Sequence, residues 1–273
     1  MLRYGSPRFI TFLKARLIVH RVAGSSEAVT AARQAFPSGL EQPEGRFRFS
    51  VDALLLAAFA ANGKKVTERF VDLGTGCGVV GLAYLLLTRN NSTGFGIDRD
   101  AGLIDAAANN AAKLGLSERF APRVGELADG PFLKGLRREV APVDLVMANP
   151  PWRLLGSGRP PETEARRGAL FGDAATFPLF ASAASSLLEP GGRFACVIGT
   201  ERLPDMLSAL SAARFGITVL RFVHTTAKAP ATFALIEARR GSRAAMTVSA
   251  PLFLYGPDRV ASPESLEFCP LLG

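Results

Sequence analysis

The sequence predicts an α/β fold, a mostly parallel sheet with helices on both faces. Three observations carry this. Short apolar runs alternate with helical stretches along most of the chain. A glycine turn, Gly74-Thr75-Gly76-Cys77-Gly78, stands between one such run and a helix. A second run, Val143 to Ala148, stops at Asn149-Pro150-Pro151-Trp152. Two consecutive prolines cannot continue a sheet ladder, so that strand must end there. In open α/β sheets ligands bind at this carboxyl edge.

Composition sets the bounds. The 273 residues are 48% hydrophobic and 21% charged, enough to bury a full core and not a disordered chain. The formal charge of +8 and the pI near 9.9 point towards a polyanionic partner, or simply towards a soluble basic enzyme. Cys77, Cys196 and Cys269 form no CxxC pair, and with two histidines no metal-site spacing exists. No metal is expected, and a reducing cytoplasm is the simplest context. Ala53 to Ala61 is the longest type of apolar run and far too short for a membrane span. Phe9 to Val19 is broken by Lys14 and Arg16 and makes a poor signal peptide. No membrane association is expected.

Residues 1–35 read as a basic extension. Through Ser50 there are eight Lys or Arg (Arg3, Arg8, Lys14, Arg16, Arg21, Arg33, Arg46, Arg48) against Glu27, Glu41 and Glu44, a net +5 of the total +8. Such a stretch is either an arm that grips phosphates or a solvated extension. Ser50 or Asp52 can cap the Ala/Leu helix that follows, which would close one side of a ligand site.

Arg69 to Leu73, the glycine turn and Val79 to Thr88 then form the start of a nucleotide-binding βαβ unit. Glycines at 74, 76 and 78, with Val79 next, depart from the dinucleotide fingerprint GxGxxG and disfavour a dehydrogenase. Asp72, two positions ahead of Gly74, suits a cationic ligand better than a pyrophosphate. S-adenosylmethionine, with its ammonium and sulfonium, meets that demand; a glycine turn without a ligand is the bland alternative. The second strand, Gly94 to Asp98, ends in an acid 24 residues after Gly74, where a ribose-binding carboxylate belongs. Asp98 could instead cap the helix Ala101 to Leu114, a role Asp100 could equally take. The third strand, Ala121 to Val124, leads to Glu126, within reach of an adenine or a plain loop acid.

Arg153 to Gly172 is rich in Gly, Pro and Arg and reads as a substrate-facing loop. Helices follow over Thr176 to Leu188 and Glu201 to Ala213, with a fifth strand, Arg193 to Ile198, between them. Leu220 to His224 and Thr232 to Ala238 look like the closing strand pair. Arg239, Arg240 and Arg243 read as a solvated basic edge.

The four residues at 149–152 have a specific chemistry. The Asn149 side-chain oxygen and the Pro150 carbonyl can both accept from one planar NH2 group, and Trp152 offers a flat face to the ring that carries it. Their bland reading is a strand-ending turn with a packed Trp.

Together the glycine turn, Asp98 and Asn149-Pro150-Pro151-Trp152 resemble a class I S-adenosylmethionine-dependent methyltransferase of the amino-methylating kind. The flanks, Arg46-Phe47-Arg48-Phe49-Ser50-Val51-Asp52-Ala53-Leu54-Leu55-Leu56 and Arg221-Phe222-Val223-His224 with Lys228, Pro230 and Ala231, resemble the bacterial tRNA1(Val) adenosine N6-methyltransferase family. The likeness covers about residues 36–255, leaving 1–35 as the extension and 256–273 as a tail. It implies a Rossmann-like, seven-stranded sheet and methylation of an exocyclic adenosine amine beside a valine tRNA anticodon. Asn149, Pro150, Pro151 and Trp152 would be catalytic. Asp52, Asp72, Gly74, Gly76 and Gly78 would hold the cofactor with Asp98, Glu126 and Asn149. The partner would be tRNA, the enzyme a cytoplasmic monomer. Three places depart from the family: Trp152 where a Tyr is usual, Ala165-Arg166-Arg167-Gly168 in place of an Ala-Arg-x-Glu stretch, and Ala229 between Lys228 and Pro230. Other readings stand beside this one. A glutamine side-chain amide presents the same planar NH2, although residues 1–45 are too few for the helical domain such enzymes carry. A non-catalytic RNA-binding module would have no need of Asp72, Asp98 and Asn149 together.

Overall fold

The computed structural model of the chain describes residues 26–45, 48–63, 68–88, 91–152 and 174–273. The basic positions up to Arg21, Arg46-Phe47, the loop expected over 153–172 and its Ala165 to Gly168 stretch lie outside the described residues.

Five parallel strands carry the site. They are β1 (Arg69–Leu73), β2 (Thr93–Asp98), β3 (Phe120–Val124), β4 (Leu145–Ala148) and β5 (Arg193–Gly199). Their order is β3-β2-β1-β4-β5, so the direction of winding reverses between β1 and β4. β6 (Phe215–His224) and β7 (Ala231–Arg240) are the expected closing pair, with β7 inserted antiparallel between β5 and β6. Two short strands, β8 (Thr247–Val248) and β9 (Leu252–Phe253), pair one after the other with β6, both parallel to it. Among the described residues the sheet therefore has nine strands where seven were expected. The two added strands are two residues each, too short to leave a periodic signal.

Both faces of the sheet are covered, which is why every residue of β4 and β5 is buried and neither strand alternates. One face packs α2 (Val51–Ala61), α3 (Val79–Leu87) and α4 (Ala101–Lys113) around Leu55, Leu56 and Leu82. The other packs α5 (Gly130–Val140), α6 (Thr176–Leu187) and α7 (Leu203–Ala212) around Leu133, Phe177 and Leu210. Local chemistry starts these helices. Asp129 accepts from the Phe132 N–H at 3.0 Å and Pro131 follows in the first turn, the signature of α5. The helix expected from Glu201 begins instead with a 3-10 turn, Thr200–Arg202, before Pro204 opens α7.

Two terminal segments add to this frame. α1 (Glu27–Gln34) lies within the stretch read as an extension and docks on α4, Arg33 Nε donating to the Leu114 carbonyl at 2.8 Å. At the other end, α8 (Pro263–Phe268) and the turn Pro270–Leu272 fold back onto α2. There Cys269 and Leu271 are buried, and the Cys269 thiol lies 3.5 Å from the Leu54 carbonyl. Of the basic cluster at the end of β7, Arg239 pairs with Glu237 and Arg240 donates to the Leu188 carbonyl, so these two tie down the end of that strand; Arg243, beyond it, is exposed.

Candidate active site

The site opens where the winding of the sheet reverses, at the carboxyl ends of β1, β2 and β4. β1 runs into the glycine turn, whose Gly74 and Thr75 N–H groups both donate to the Ile97 carbonyl of β2, at 2.8 and 3.0 Å. Gly76 has φ +56, and the direction its missing Cβ would take meets no atom within 4 Å, so the backbone there faces open space.

Asp72 does not face that space. It is 1% exposed beneath the turn, where Oδ2 accepts from the Thr75 hydroxyl at 2.6 Å and from the Gly81 N–H of α3 at 3.1 Å. Its Oδ1 is buried with no hydrogen-bond partner. Burial, with a smaller push from Asp98, outweighs those two bonds and drives the carboxyl up to about 7. The expected cofactor contact at Asp72 is thus a tie between turn and helix. Gly78 is likewise no lining residue: a Cβ there would press on Ala107, Leu82 and Phe120.

Asp98 does face the site. Its Oδ2 accepts from the Gly76 N–H and its Oδ1 from the Asp100 N–H, each at 3.0 Å. Burial raises its carboxyl above the usual range, against the pull of those two bonds. The helix-cap role falls to Asp100, which accepts from the Gly102 and Leu103 N–H groups at 2.9 and 3.2 Å. Each Asp98 oxygen keeps lone-pair capacity for a further donor, as two vicinal hydroxyls would need.

Asp98, Gly74 and Gly76 share one crevice of about 570 Å³ with Glu126, Asn149, Pro150, Pro151 and Trp152. That is the size of a small-molecule site. Leu103, Ile97 and Leu127 supply apolar lining and Glu126 stands exposed among the lining residues. Asp52, near the start of α2, also lines the crevice although it is 2% exposed. It caps no helix. The Ser50 hydroxyl donates to its Oδ1, and the Asn149 Nδ2 donates to its Oδ2 at 3.0 Å. With an N–H committed there, Oδ1 is the acceptor that Asn149 has left to offer the crevice.

Trp152 spans the gap between the two cores. It lies over a cross-strand pair at the ends of β5 and β7, Gly199 and Phe233. Its ring meets Phe233 edge-on with centroids 5.7 Å apart, and a Cβ on Gly199 would come within 2.5 Å of its Cε3. Gly199 was not visible as a site residue from the sequence; its only signal is that a glycine ends the fifth strand. Thr75, Phe180 and Ser50 also line the crevice without having been expected there. His224 and Lys228 lie at the β6–β7 turn, where His224 Nδ1 is 2.8 Å from the Ala229 carbonyl and its ring is 5.4 Å from that of Phe253. Among the described residues no group of three metal-type side chains gathers, and no helix is long and apolar enough to cross a membrane.

The chain superposes on the crystal structure of a predicted O-methyltransferase from Agrobacterium tumefaciens with a TM-score of 0.63 over 82% of this chain and 97% of that one, at 20% identity. The fold is that of the class I methyltransferases. Sequence relatives of this methyltransferase-fold chain fall in two groups. A release factor glutamine methyltransferase of Agrobacterium fabrum is 34% identical over 134 residues, 49% of this chain and 43% of that protein. A tRNA1(Val) (adenine(37)-N6)-methyltransferase of Porphyromonas gingivalis is 29% identical over 174 residues, 61% of this chain and 64% of that protein. The chain thus spans less than two thirds of the length of either relative. No protein-family model matches it.

Proposed function

We propose that the chain transfers a methyl group from S-adenosylmethionine to the exocyclic amine of an adenosine in RNA, the adenosine beside the anticodon of a valine tRNA. One observation carries this reading. The Asn149-Pro150-Pro151-Trp152 turn opens into the same crevice as the glycine turn and Asp98. The residues there suit the cofactor. Gly76 leaves a cradle that a side chain would fill, Asp98 has acceptors for two ribose hydroxyls, and Glu126, in the same crevice, would meet the adenine. When bound, S-adenosylmethionine supplies an electrophilic methyl on a sulfonium.

The protein's part is positioning. A base taken out of its stack enters between Trp152 and the turn. Asn149 Oδ1 and the Pro150 carbonyl accept the two amino hydrogens, which draws the nitrogen lone pair out of the ring and points it at the methyl. The methylated amine is acidic enough to lose its proton without a strong base. Alignment of this kind can supply on the order of 7–11 kcal/mol of the barrier. The net charge of +8 supports a polyanionic substrate.

The glutamine side-chain amide of a release factor is the second reading, favoured by the relative at 34% identity. The purified chain, S-adenosylmethionine and either unmodified tRNA or a release factor decide between them, with mass spectrometry of digested nucleosides and peptides. N6-methyladenosine is the expected product. Methylglutamine alone would refute the RNA reading, and Asn149→Ala should abolish either product while still binding cofactor.

A further inference from the structure

The pairing of Asn149 with Asp52 has a consequence for what the turn presents to a substrate. A primary amide is nearly symmetric in shape, so turning it by 180° costs little by packing alone. Turned one way, Asn149 offers an acceptor to an incoming amine; turned the other way, it offers N–H groups that oppose the amine's own. Something must choose. Asp52 sits 97 residues away in sequence and donates nothing, because a carboxylate only accepts. Its Oδ2 takes the Asn149 N–H at 3.0 Å, while Oδ1 is occupied by the Ser50 hydroxyl. Asp52 is 2% exposed, so the acceptor end of the bond is shielded from water, and charge assistance makes the bond stronger than a neutral one. Asp52 also sits in the first turn of α2, where the helix end favours a negative charge.

We propose that Asp52 is a positioning residue for Asn149, the chain Ser50 to Asp52 to Asn149 locking the amide so that its oxygen, and not its nitrogen, meets the substrate amine. The catalytic consequence rests on the methyl-transfer reading. The locking itself does not. Asp52 was read from the sequence as a cofactor contact, and the two roles separate cleanly because Asp52→Asn removes the charge but keeps an oxygen for Asn149 and gives Ser50 an N–H donor.

The test compares Asp52→Ala, Asp52→Asn and Ser50→Ala by turnover, cofactor affinity and the side-chain amide resonance of Asn149, identified by its loss in Asn149→Ala. For Asp52→Ala, kcat should fall about a hundredfold, the scale of a misplaced reacting group, with little change in the dissociation constant of S-adenosylmethionine. The Asn149 amide protons should move upfield as the carboxylate is removed. Asp52→Asn should recover most of the lost turnover, and Ser50→Ala should give an intermediate loss. If Asp52→Asn instead is as slow as Asp52→Ala, or if both mainly weaken cofactor binding, the positioning role is wrong. An unmoved Asn149 resonance in Asp52→Ala overturns it as well. Should Asp52→Ala not fold, Asp52→Asn still decides, since a large loss of cofactor affinity with turnover retained would assign Asp52 to the cofactor. Should the wild type methylate neither RNA nor a release factor, the methyl-transfer reading fails, and the resonance still reports on the lock.

Discussion

Replacing Gly199 by alanine tests the aromatic wall of the crevice without touching a reacting group. Gly199 has φ −61° and ψ 137°, which alanine adopts without strain, so the backbone has no reason to move. The new methyl would lie 2.5 Å from Cε3 of Trp152 and 2.7 to 2.8 Å from the Glu201 carboxylate. The carboxylate is the end of a flexible side chain and can swing away. The indole cannot do so freely, because Phe233 braces it edge-on with centroids 5.7 Å apart. Carbon atoms pack at about 3.5 to 4.0 Å, so the ring must retreat by roughly 1 Å. On the proposed reading Trp152 sets the plane of the base, and a shift of that size then costs on the order of a hundredfold in kcat/KM. Cofactor binding at Asp98 should be spared. Trp152 is the single tryptophan of the chain, so its fluorescence reports the displacement directly, beside the rate of methyl transfer. Wild-type kcat/KM together with an unchanged emission spectrum would show that Gly199 does not place Trp152, and that Trp152 does not place the substrate.

Three further outcomes follow from the geometry. Asp98→Ala should weaken S-adenosylmethionine binding by about 1.5 to 3 kcal/mol, ten- to a hundredfold in the dissociation constant by calorimetry; an unchanged constant would remove Asp98 from the site. Glu237→Ala should destabilise the fold by about 3 to 5 kcal/mol in denaturant unfolding. It would strand the guanidinium of Arg193, which is buried between the Glu237 carboxylate and the Ala60 carbonyl, each at 2.9 Å. Asp72 should make the stability pH-dependent. Its folded carboxyl is raised from 3.8 to about 7, so between those values the native state holds a proton that the unfolded chain has lost. Its contribution is fully present below about pH 4 and is lost as the pH rises through 7, on the order of 4 kcal/mol in all. Measured as wild type against Asp72→Asn from pH 4 to 8, the stability difference should shift against the wild type; a flat difference would refute the raised carboxyl.

Much of the frame was legible because it rests on local signals. The alternation of apolar runs and helices, the glycine turn and the two prolines at 150 and 151 each speak through neighbouring residues. Asp98 reads as the ligand carboxylate because it ends the second strand, which leaves Asp100 for the cap; the bonds from Gly102 and Leu103 to Asp100 show that it takes the cap role. Asp72 misled for a related reason. Its position before the first glycine matches a ligand contact, but the strand carries it under the turn to Thr75 and Gly81. The pairs Asp52–Asn149 and Gly199–Phe233 lie far apart along the chain, and nothing local announces either. The added strands β8 and β9 depend wholly on β6 for their pairing.

The fold-back of residues 263–272 gives α2 a second support besides the sheet. The helix that carries Asp52 is thereby clamped like a beam held from two sides, and loosening either clamp changes how firmly its tip is held. Enlarging Cys269 or Leu271, both buried where the fold-back meets α2, would press on the helix that carries Asp52. A chemically silent patch more than 200 residues on from Asp52 in this way bears on the helix that holds it.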